Sequence, residues 1–530
     1  MGVLRMRRGV MVVIAAGVAL VVSQDLGARP TGNRSGERGG TFRVVTPGID
    51  SIDPAITYGP AAPYLDASCA LLFRGPTTPE VAAGQPKVTN GGKTYTFRLR
   101  TTFHFNTGTP VTATSFAHEL DRVLTPAMQS PGAQYFGDIV GADDVASGRT
   151  SHAGGIQARG YTLTVHLTHP VPDFVARLTL TSACAVPPSL PARPEAVSAP
   201  LSGAGPYYVA EYAPGRTLVL RRNPFYRGTR PHRVGRIVVT LVDSDQTALE
   251  TLARGEAEWA DIADPSLVNM LEPSARARLR VLTSPGNGVR YVVMNTSRPP
   301  FRNNVLLRRA VNFALDRPAL LRARGGSLAG TVTDHYLPSG FPGFRPVHIY
   351  PLRHSAVQRA RALARGHTGD GHAVMYAQNS GPTVDEAKVV KADLARIGID
   401  VEIREFPGEQ LFQRLFTPGE PYDLALVGWF PDYLDPYDFL NSLLDGRQLA
   451  IPNNGNISRF NSPRYNRLLA RAALLRGRAR YRTYGKLDVQ LARDASPLAA
   501  YMQPNEVTIV SRRVGCLVKR RVDLAAVCLH

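Results

Sequence analysis

The chain has 530 residues, more than one hydrophobic core usually supports, so its length predicts two or three domains. Its 44% hydrophobic and 20% charged residues are typical of a soluble globular protein. The 62 Lys and Arg against 42 Asp and Glu give a net charge of +20. Because the arginines are spread along the chain, they indicate a solvated surface, and affinity for anionic lipid or polymer is the functional alternative.

Residues 1–28 are typical of a targeting segment. Three arginines precede an apolar run at 10–22, which is too short for an ordinary spanning helix. Cleavage after Ser23 or Ala28 would release an exported, soluble chain, and an uncleaved N-terminal anchor is the alternative. Residues 29–38 are rich in Gly, Arg and Pro, which predicts a linker.

The four cysteines lack the Cys-x-x-Cys spacing of zinc and thioredoxin-like sites. In an oxidising compartment an even number of cysteines suits disulfides. We favour Cys516–Cys528, which closes a short C-terminal loop, and Cys69–Cys184 by elimination. Four buried free thiols are the alternative. A short loop of this kind is stabilised by about 3 kcal/mol in the chain-entropy model.

The first half of the chain is predicted to be rich in β-structure. Residues 41–46 form the first predicted strand, and alternating apolar and polar residues predict another at 93–100. The same alternation recurs at 162–167 and 216–220. One clear helix is predicted, at 115–124.

The second half alternates predicted helices and strands, which favours a sheet flanked by helices. Asn303 or Asn304 can cap a helix that ends at Leu315, and Pro318 suits the start of the next helix.

Further along, Thr383 and Glu386 have the spacing of a capping box, which predicts a helix from there to Ile397. Strands follow at 399–403 and 422–429.

Signals for catalysis are weak throughout the chain. There is no Gly-x-Ser-x-Gly, His-Glu-x-x-His or phosphate-loop motif, and the glycines at 369–371 lack the third glycine of a dinucleotide loop. Three aspartates near residue 435 have a three-residue spacing that misses the pattern of a calcium loop. We therefore expect no enzyme activity, no cofactor and no metal site.

The most informative segment is 422–440, a short apolar strand that ends in carboxylates and aromatic rings. Its loop and flanks carry three aspartates and three large aromatic residues: Asp432, Asp435, Asp438, Trp429, Tyr433 and Tyr437. A buried carboxylate can hold a ligand ammonium, and a strand edge can pair with an extended peptide. A turn role for the aspartates, strongest for Asp435, and core packing for Trp429 are the alternatives.

Motifs along the chain resemble those of the family 5 extracellular solute-binding proteins of ABC importers, the oligopeptide- and dipeptide-binding group. The resemblance extends from about residue 39 to the C-terminus. It rests on the segment 422–440 and on IDP at 52–54, LFRG at 72–75, GGKTYTFRLRTTFHFNTGTPVTATSF at 91–116, GAGPYYVAEY at 203–212, LRRNPFY at 220–226, GEAEWADI at 255–262 and YVVMNTSRPPFRNNVLLRRAVNFALDR at 291–317.

The resemblance implies an α/β fold with two lobes, of the periplasmic-binding-protein type, built from three interlaced domains. The implied limits are 39–70, 182–290 and 501–530 for domain I, 71–181 for domain II, and 291–500 for domain III.

The same resemblance implies a peptide site. Asp432 would hold the α-ammonium of the peptide, and the strand end around it would supply main-chain pairing and aromatic walls. An arginine of the enteric oligopeptide binder is replaced here by Leu426, which predicts a different electrostatic arrangement. The implied ligand-binding residues are Asp432, Trp429, Gly428, Phe430, Tyr433, Tyr58, Gly59 and Pro60.

The implied function is that of an exported substrate-binding subunit, periplasmic or in the cell envelope, that closes around a peptide. Its expected partners are an ABC permease and ATPase on other chains. It would be a monomer at the outer face of the membrane, without nucleic acid. Binding of a nickel chelate, haem or sugar in the same fold, or a surface protein that binds polyanions, are the alternatives.

Overall fold

A computed structural model describes residues 39–57, 62–451 and 454–530. The predicted targeting segment and linker, and with them Tyr58, Gly59 and Pro60, lie outside the described residues. Within the described part, no helix has both the length and the apolar character needed to cross a membrane.

One mixed sheet of twelve strands runs through the described molecule. Its main path, in spatial order, is Asp400–Phe406, His372–Gln378, Leu424–Trp429, Val289–Met294, Leu498–Ser511, Trp259–Ala260, Thr41–Thr46, Arg236–Leu241, Thr217–Arg222 and Tyr207–Ala213. Two more strands pair with Leu498–Ser511, namely Leu279–Pro285 and Gly330–Val332.

The strand Leu498–Ser511 connects the two halves of this sheet. Its first residues pair with Val289–Met294, and residues 505–511 pair with Leu279–Pro285. Separate apolar cores lie on either side of the junction. The domain limit predicted at residue 500 therefore falls inside one continuous strand. The division into three domains stays a prediction.

A second, antiparallel sheet belongs to the segment 71–181. Its strands in spatial order are Lys87–Thr89, Thr94–Arg98, Thr162–His166 and Ile156–Arg159. Tyr95 and Phe97 point to the same core as the amphipathic helix Ala113–Leu124. Two-stranded pairs complete the β-structure, Phe73–Gly75 with Thr78–Pro79 and Val514–Gly515 with Cys528–Leu529.

Helices cover both faces of the large sheet and one side of the small one. The α-helices are Ala62–Ser68, Ala113–Leu124, Ala133–Phe136, Ala142–Ala146, Phe174–Arg177, Asp245–Ala253, Pro273–Arg276, Val305–Ala314, Arg317–Arg324, Val357–Ala364, Gly381–Ala395, Gly408–Phe416, Tyr437–Leu444, Pro463–Leu474 and Gly477–Gln490.

The predicted strands and helices are present to within a few residues. Asn304, rather than Asn303, is the cap of the helix Val305–Ala314, since its side-chain oxygen accepts from the amide of Leu307 at 3.2 Å. Asp316 caps the next helix, in which Pro318 occupies the first turn.

The predicted capping box at Thr383 and Glu386 is wrong. The helix begins at Gly381, so both residues lie inside it rather than at its start. Glu386 is fully buried and accepts hydrogen bonds from Arg290 and Tyr501, both at 3.0 Å. The acidic residue is thus a partner of buried arginine rather than a cap.

Both favoured disulfides are present, and no free cysteine remains in the described chain. Cys69 and Cys184 lie 115 residues apart with their Cα atoms 5.5 Å apart. Cys516 and Cys528 close a loop of 12 residues. The alternative of four free thiols is therefore wrong.

Candidate ligand-binding site

Asp432 lines a cavity of about 340 Å³ that lies between distant parts of the chain. One wall is the loop 430–432, and a second is formed by Ala55, Thr57 and Ala62. The third wall comes from residues 131–135 and 179–182. The full lining is Ala55, Thr57, Ala62, Pro131, Gly132, Tyr135, Thr179, Leu180, Thr181, Ser182, Phe430, Pro431 and Asp432.

The loop is held at this place by the strand before it. The strand Leu424–Trp429 pairs along its length with Val289–Met294 and, at residues 424–425, also with His372–Gln378. Pro431 has no amide hydrogen to extend the ladder, so the chain leaves the sheet there. The ring of Phe430 lies against Gly288, where a side-chain β-carbon would be 2.5 Å from the ring.

Asp438 ties the loop to the following helix. One of its carboxylate oxygens accepts from the main-chain amide of Asp432 at 3.0 Å and from the indole of Trp429 at 3.1 Å. Asp438 is fully buried in the first turn of the helix Tyr437–Leu444, where a negative charge is favoured by the helix dipole. Its other oxygen has no hydrogen-bond partner among the described residues.

The Asp432 carboxylate is largely shielded from solvent. The hydroxyl of Tyr135, from the segment 71–181, donates to it. Burial raises the pKa of Asp432 to about 7. Burial, followed by the neighbouring Asp432 carboxylate, raises the pKa of Asp438 well above its usual value. Near neutral pH this pair therefore gains from any positive charge that enters the cavity.

Asp435, three residues further on, has a different role. The guanidinium of Arg480 donates to both of its oxygens, at 2.7 and 2.9 Å. The same guanidinium lies 3.4 Å from Asp173, which belongs to the segment 71–181. Tyr433 donates to Asp173 at 2.8 Å. These buried contacts link the loop to the facing segment.

The second wall of the cavity is fixed by a buried ion cluster. Arg122, on the helix Ala113–Leu124, donates to Asp53 at 2.6 Å and to Glu119 at 2.5 Å. Asp53 in turn accepts from the amide of Ala55 at 3.0 Å. The N-terminal Asp-Pro motif thus positions residues 55–57 beside the cavity.

The third wall was not predicted from sequence. Tyr135 follows a Pro-Gly pair and lies in the four-residue helix Ala133–Phe136. Neither feature is a local signal for ligand binding. Gly132 is required there because an added β-carbon would lie 2.6 Å from the Ser182 hydroxyl oxygen. Only the folded chain brings Tyr135 and Ser182 to the same cavity as Asp432.

Of the ligand-binding residues predicted from the resemblance, Asp432 and Phe430 line the cavity, and Phe430 is 59% exposed. Gly428 lies in the ladder opposite Arg290. Tyr433 is buried in the core of the segment 71–181. Their roles toward a ligand stay predictions.

Trp429 and Leu426 also lie away from the cavity lining. The indole of Trp429 packs against Gly455, at 3.2 Å from the position a β-carbon would take. Leu426 is buried in the core on one face of the sheet. In the described part of the chain, no cluster of three or more His, Cys, Asp or Glu side chains could hold a metal ion.

Three comparisons place this geometry among known proteins. The family model for bacterial extracellular solute-binding proteins, family 5 Middle, matches residues 77–450. The periplasmic oligopeptide-binding protein OppA of Escherichia coli K12 is 25% identical over 429 residues, covering 78% of this chain and 77% of OppA. The probable D,D-dipeptide-binding periplasmic protein DdpA of the same organism is 24% identical, covering 73% of this chain and 71% of DdpA.

Solved structures agree on the fold. The clavulanic acid biosynthesis oligopeptide binding protein 2 superposes with a TM-score of 0.83 at 24% identity, over 93% of this chain and 96% of that one. The Helicobacter pylori protein DppA, solved in complex with the peptide STSA, superposes with a TM-score of 0.74 at 20% identity, over 93% and 98%. The α/β fold predicted from sequence is confirmed. The chain belongs to the family 5 bacterial extracellular solute-binding proteins.

Proposed function

We propose that this protein is the substrate-binding subunit of an ABC importer that captures a peptide by its free amino terminus. The observation that carries the proposal is the Asp432 carboxylate, which lines a cavity between distant segments of the chain. In the described residues no basic side chain forms an ion pair with it, so the ligand is left to supply the positive charge. The names of OppA and DdpA support peptides as the ligand class.

Buried contacts between the segment 71–181 and the later part of the chain support a closing motion. Asp173 from one segment meets Tyr433 and Arg480 from the other. A ligand that enters between them requires these contacts to open and re-form, as in hinge closure around a ligand. The protein itself performs no chemistry.

The remaining partners follow from the same proposal. A permease and an ATPase on other chains carry out transport. The binding protein acts as an exported monomer at the outer face of the membrane, whether or not its N-terminal segment stays attached as an anchor.

The test is the substitution Asp432→Asn, measured by titration calorimetry. It should weaken binding of a free-amino peptide by about 2–5 kcal/mol, the loss typical of removing one partner of a buried charge pair. The N-acetylated form of the peptide should bind the variant and the parent alike. Asp385→Asn, the same change on an exposed helix position, is the matched control and should leave both affinities unchanged.

Equal affinity of the Asp432→Asn variant and the parent for the free-amino peptide would contradict the role of Asp432. Mass spectrometry of ligand released on denaturation identifies the bound class directly. This matters because heme-binding protein A of Haemophilus influenzae is also a relative, 25% identical over 287 residues and matched over 53% of this chain and 50% of that protein.

A further inference from the structure

The cavity beside Asp432 has an unbalanced charge. Thirteen described residues line it. Asp432 is an aspartate, and none of the other twelve is Asp, Glu, His, Lys or Arg. The other polar side chains are hydroxyls: Thr57, Tyr135, Thr179, Thr181 and Ser182.

Among the described residues, the immediate surroundings supply no compensating cation. Asp438, whose carboxylate accepts from the Asp432 amide, is a second acid with no basic partner in the described chain. The two nearby buried arginines, Arg177 and Arg480, already pair with other carboxylates. Arg177 bonds Asp173 and Asp138, at 3.0 and 2.7 Å, and Arg480 bonds Asp435 at 2.7 Å.

A carboxylate on the ligand has no favourable position in such a cavity. A buried anion without a cation loses its hydration and gains nothing in return, and a second anion close by repels it. Neutral hydroxyls can donate to an amide carbonyl, which needs no counter-ion. The peptide's own C-terminal carboxylate is therefore best placed outside.

We infer that the cavity accepts a ligand segment that carries positive charge and no negative charge, and that it discriminates against a free carboxylate. This inference rests on the proposed function and specifies its ligand class. Suitable ligands are short peptides with a blocked C-terminus, and longer peptides whose C-terminus lies beyond the cavity. The volume of about 340 Å³ is near the lower end for ligand pockets, roughly 300–1,000 Å³, so a dipeptide would bring its C-terminus inside.

The experiment compares matched peptides by titration calorimetry at one ionic strength. The ligands are alanyl-alanine and penta-alanine, each as the free acid and as the C-terminal amide, with N-acetylated forms as controls. The dipeptide amide should bind about tenfold or more tightly than the dipeptide acid, because of the repulsion between the two carboxylates. The two pentapeptides should bind within about twofold of each other, because their termini lie beyond that repulsion.

A variant sharpens the result. Asp432→Asn should reduce the preference for the dipeptide amide over the acid, whereas Asp385→Asn should keep it. Thermal unfolding of each variant checks that it is folded.

Each outcome decides one point. Equal or tighter binding of the dipeptide acid overturns the inference and leaves the proposed function intact. The same holds if neither dipeptide binds while the pentapeptides do. If no peptide binds in any form, the proposed function itself fails.

Discussion

Two groups of carboxylates meet at residues 430–438, and they differ in what neutralises them. Asp435, with Asp173 from the facing segment, shares the guanidinium of Arg480 at 2.7 and 3.4 Å. The main-chain amide of Asp432 donates to the Asp438 carboxylate instead. No basic side chain of the described chain pairs with either carboxylate.

The consequence is a difference in ionisation between Asp173 and Asp432. Burial alone would raise the pKa of Asp173, but Arg177 and Arg480 outweigh it and hold that pKa below its usual value. Burial raises the pKa of Asp432 to about 7 without any such compensation. The first group is a complete structural link between segments. The second is neutralised either by protonation or by a cation that arrives from outside.

The largest effect on stability should come from removing Arg480, the cation shared by Asp435 and Asp173. Arg480→Met leaves Asp435 and Asp173 buried without their shared cation, so the free energy of unfolding should fall by about 3–5 kcal/mol. Chemical denaturation measures it. Arg478→Met, at an exposed position of the same helix, is the matched control and should change it by less than about 0.5 kcal/mol. An equally small loss for Arg480→Met would mean that the link is not structural.

The second effect is a pH dependence of peptide binding, which we expect from the group of Asp432 and Asp438 alone. A free-amino peptide needs ionised Asp432, whose pKa is raised to about 7 in the ligand-free protein. Affinity should therefore fall about fiftyfold from pH 7 to pH 5, as expected when a carboxyl titrating near pH 7 must lose its proton for binding. Calorimetry over this range measures it, and Asp432→Asn should flatten the profile.

The ligand-free protein should respond to pH with the opposite sign. Because the folded pKa of Asp432 lies above its unfolded value, its contribution to stability is fully present below about pH 4. That contribution is lost as the pH rises through about 7. A parent protein that loses more stability than Asp432→Asn over this interval would agree with the assignment, and parallel curves would contradict it.

The smallest effect is expected from removing single tyrosine hydroxyls, one that contacts Asp173 and one that contacts Asp432. Tyr433 donates to Asp173, and Tyr135 donates to Asp432. Tyr433→Phe should lower the free energy of unfolding by about 1.5 kcal/mol, since the bond is buried and its acceptor is ionised. Tyr135→Phe should cost about 0.5 kcal/mol, because the Asp432 carboxyl is partly neutral and borders a cavity. Denaturation of both variants side by side tests the difference, and a reversed order would contradict it.

Much of the local structure could be predicted because its causes are local. The alternation at 94–98 specifies a strand with one buried face, and the observed strand matches it. Asn304 caps its helix through contacts within four residues. The capping box at Thr383 failed for a tertiary reason, since Glu386 is used by Arg290 and Tyr501 from the central strands.

The arginines show the same limit. Their even distribution predicted a solvated surface, yet Arg122 and Arg317 are among the largest fully buried side chains. Arg122 neutralises Asp53, and Arg317 donates to main-chain carbonyls at residues 312, 333 and 500. A basic residue is buried when distant acceptors surround it, which residue spacing along the chain does not encode.

By itself, the sequence determined the strand ending at Trp429, the carboxylates that follow it, and the even number of cysteines. These depend on short-range pattern and on residue chemistry. The tertiary structure alone decided which carboxylate received a cation. Arg480 lies 45 residues after Asp435, and Tyr135 lies 297 residues before Asp432. Folding brings these groups together, and only the neighbours in space show that no basic side chain in the described part of the chain pairs with Asp432.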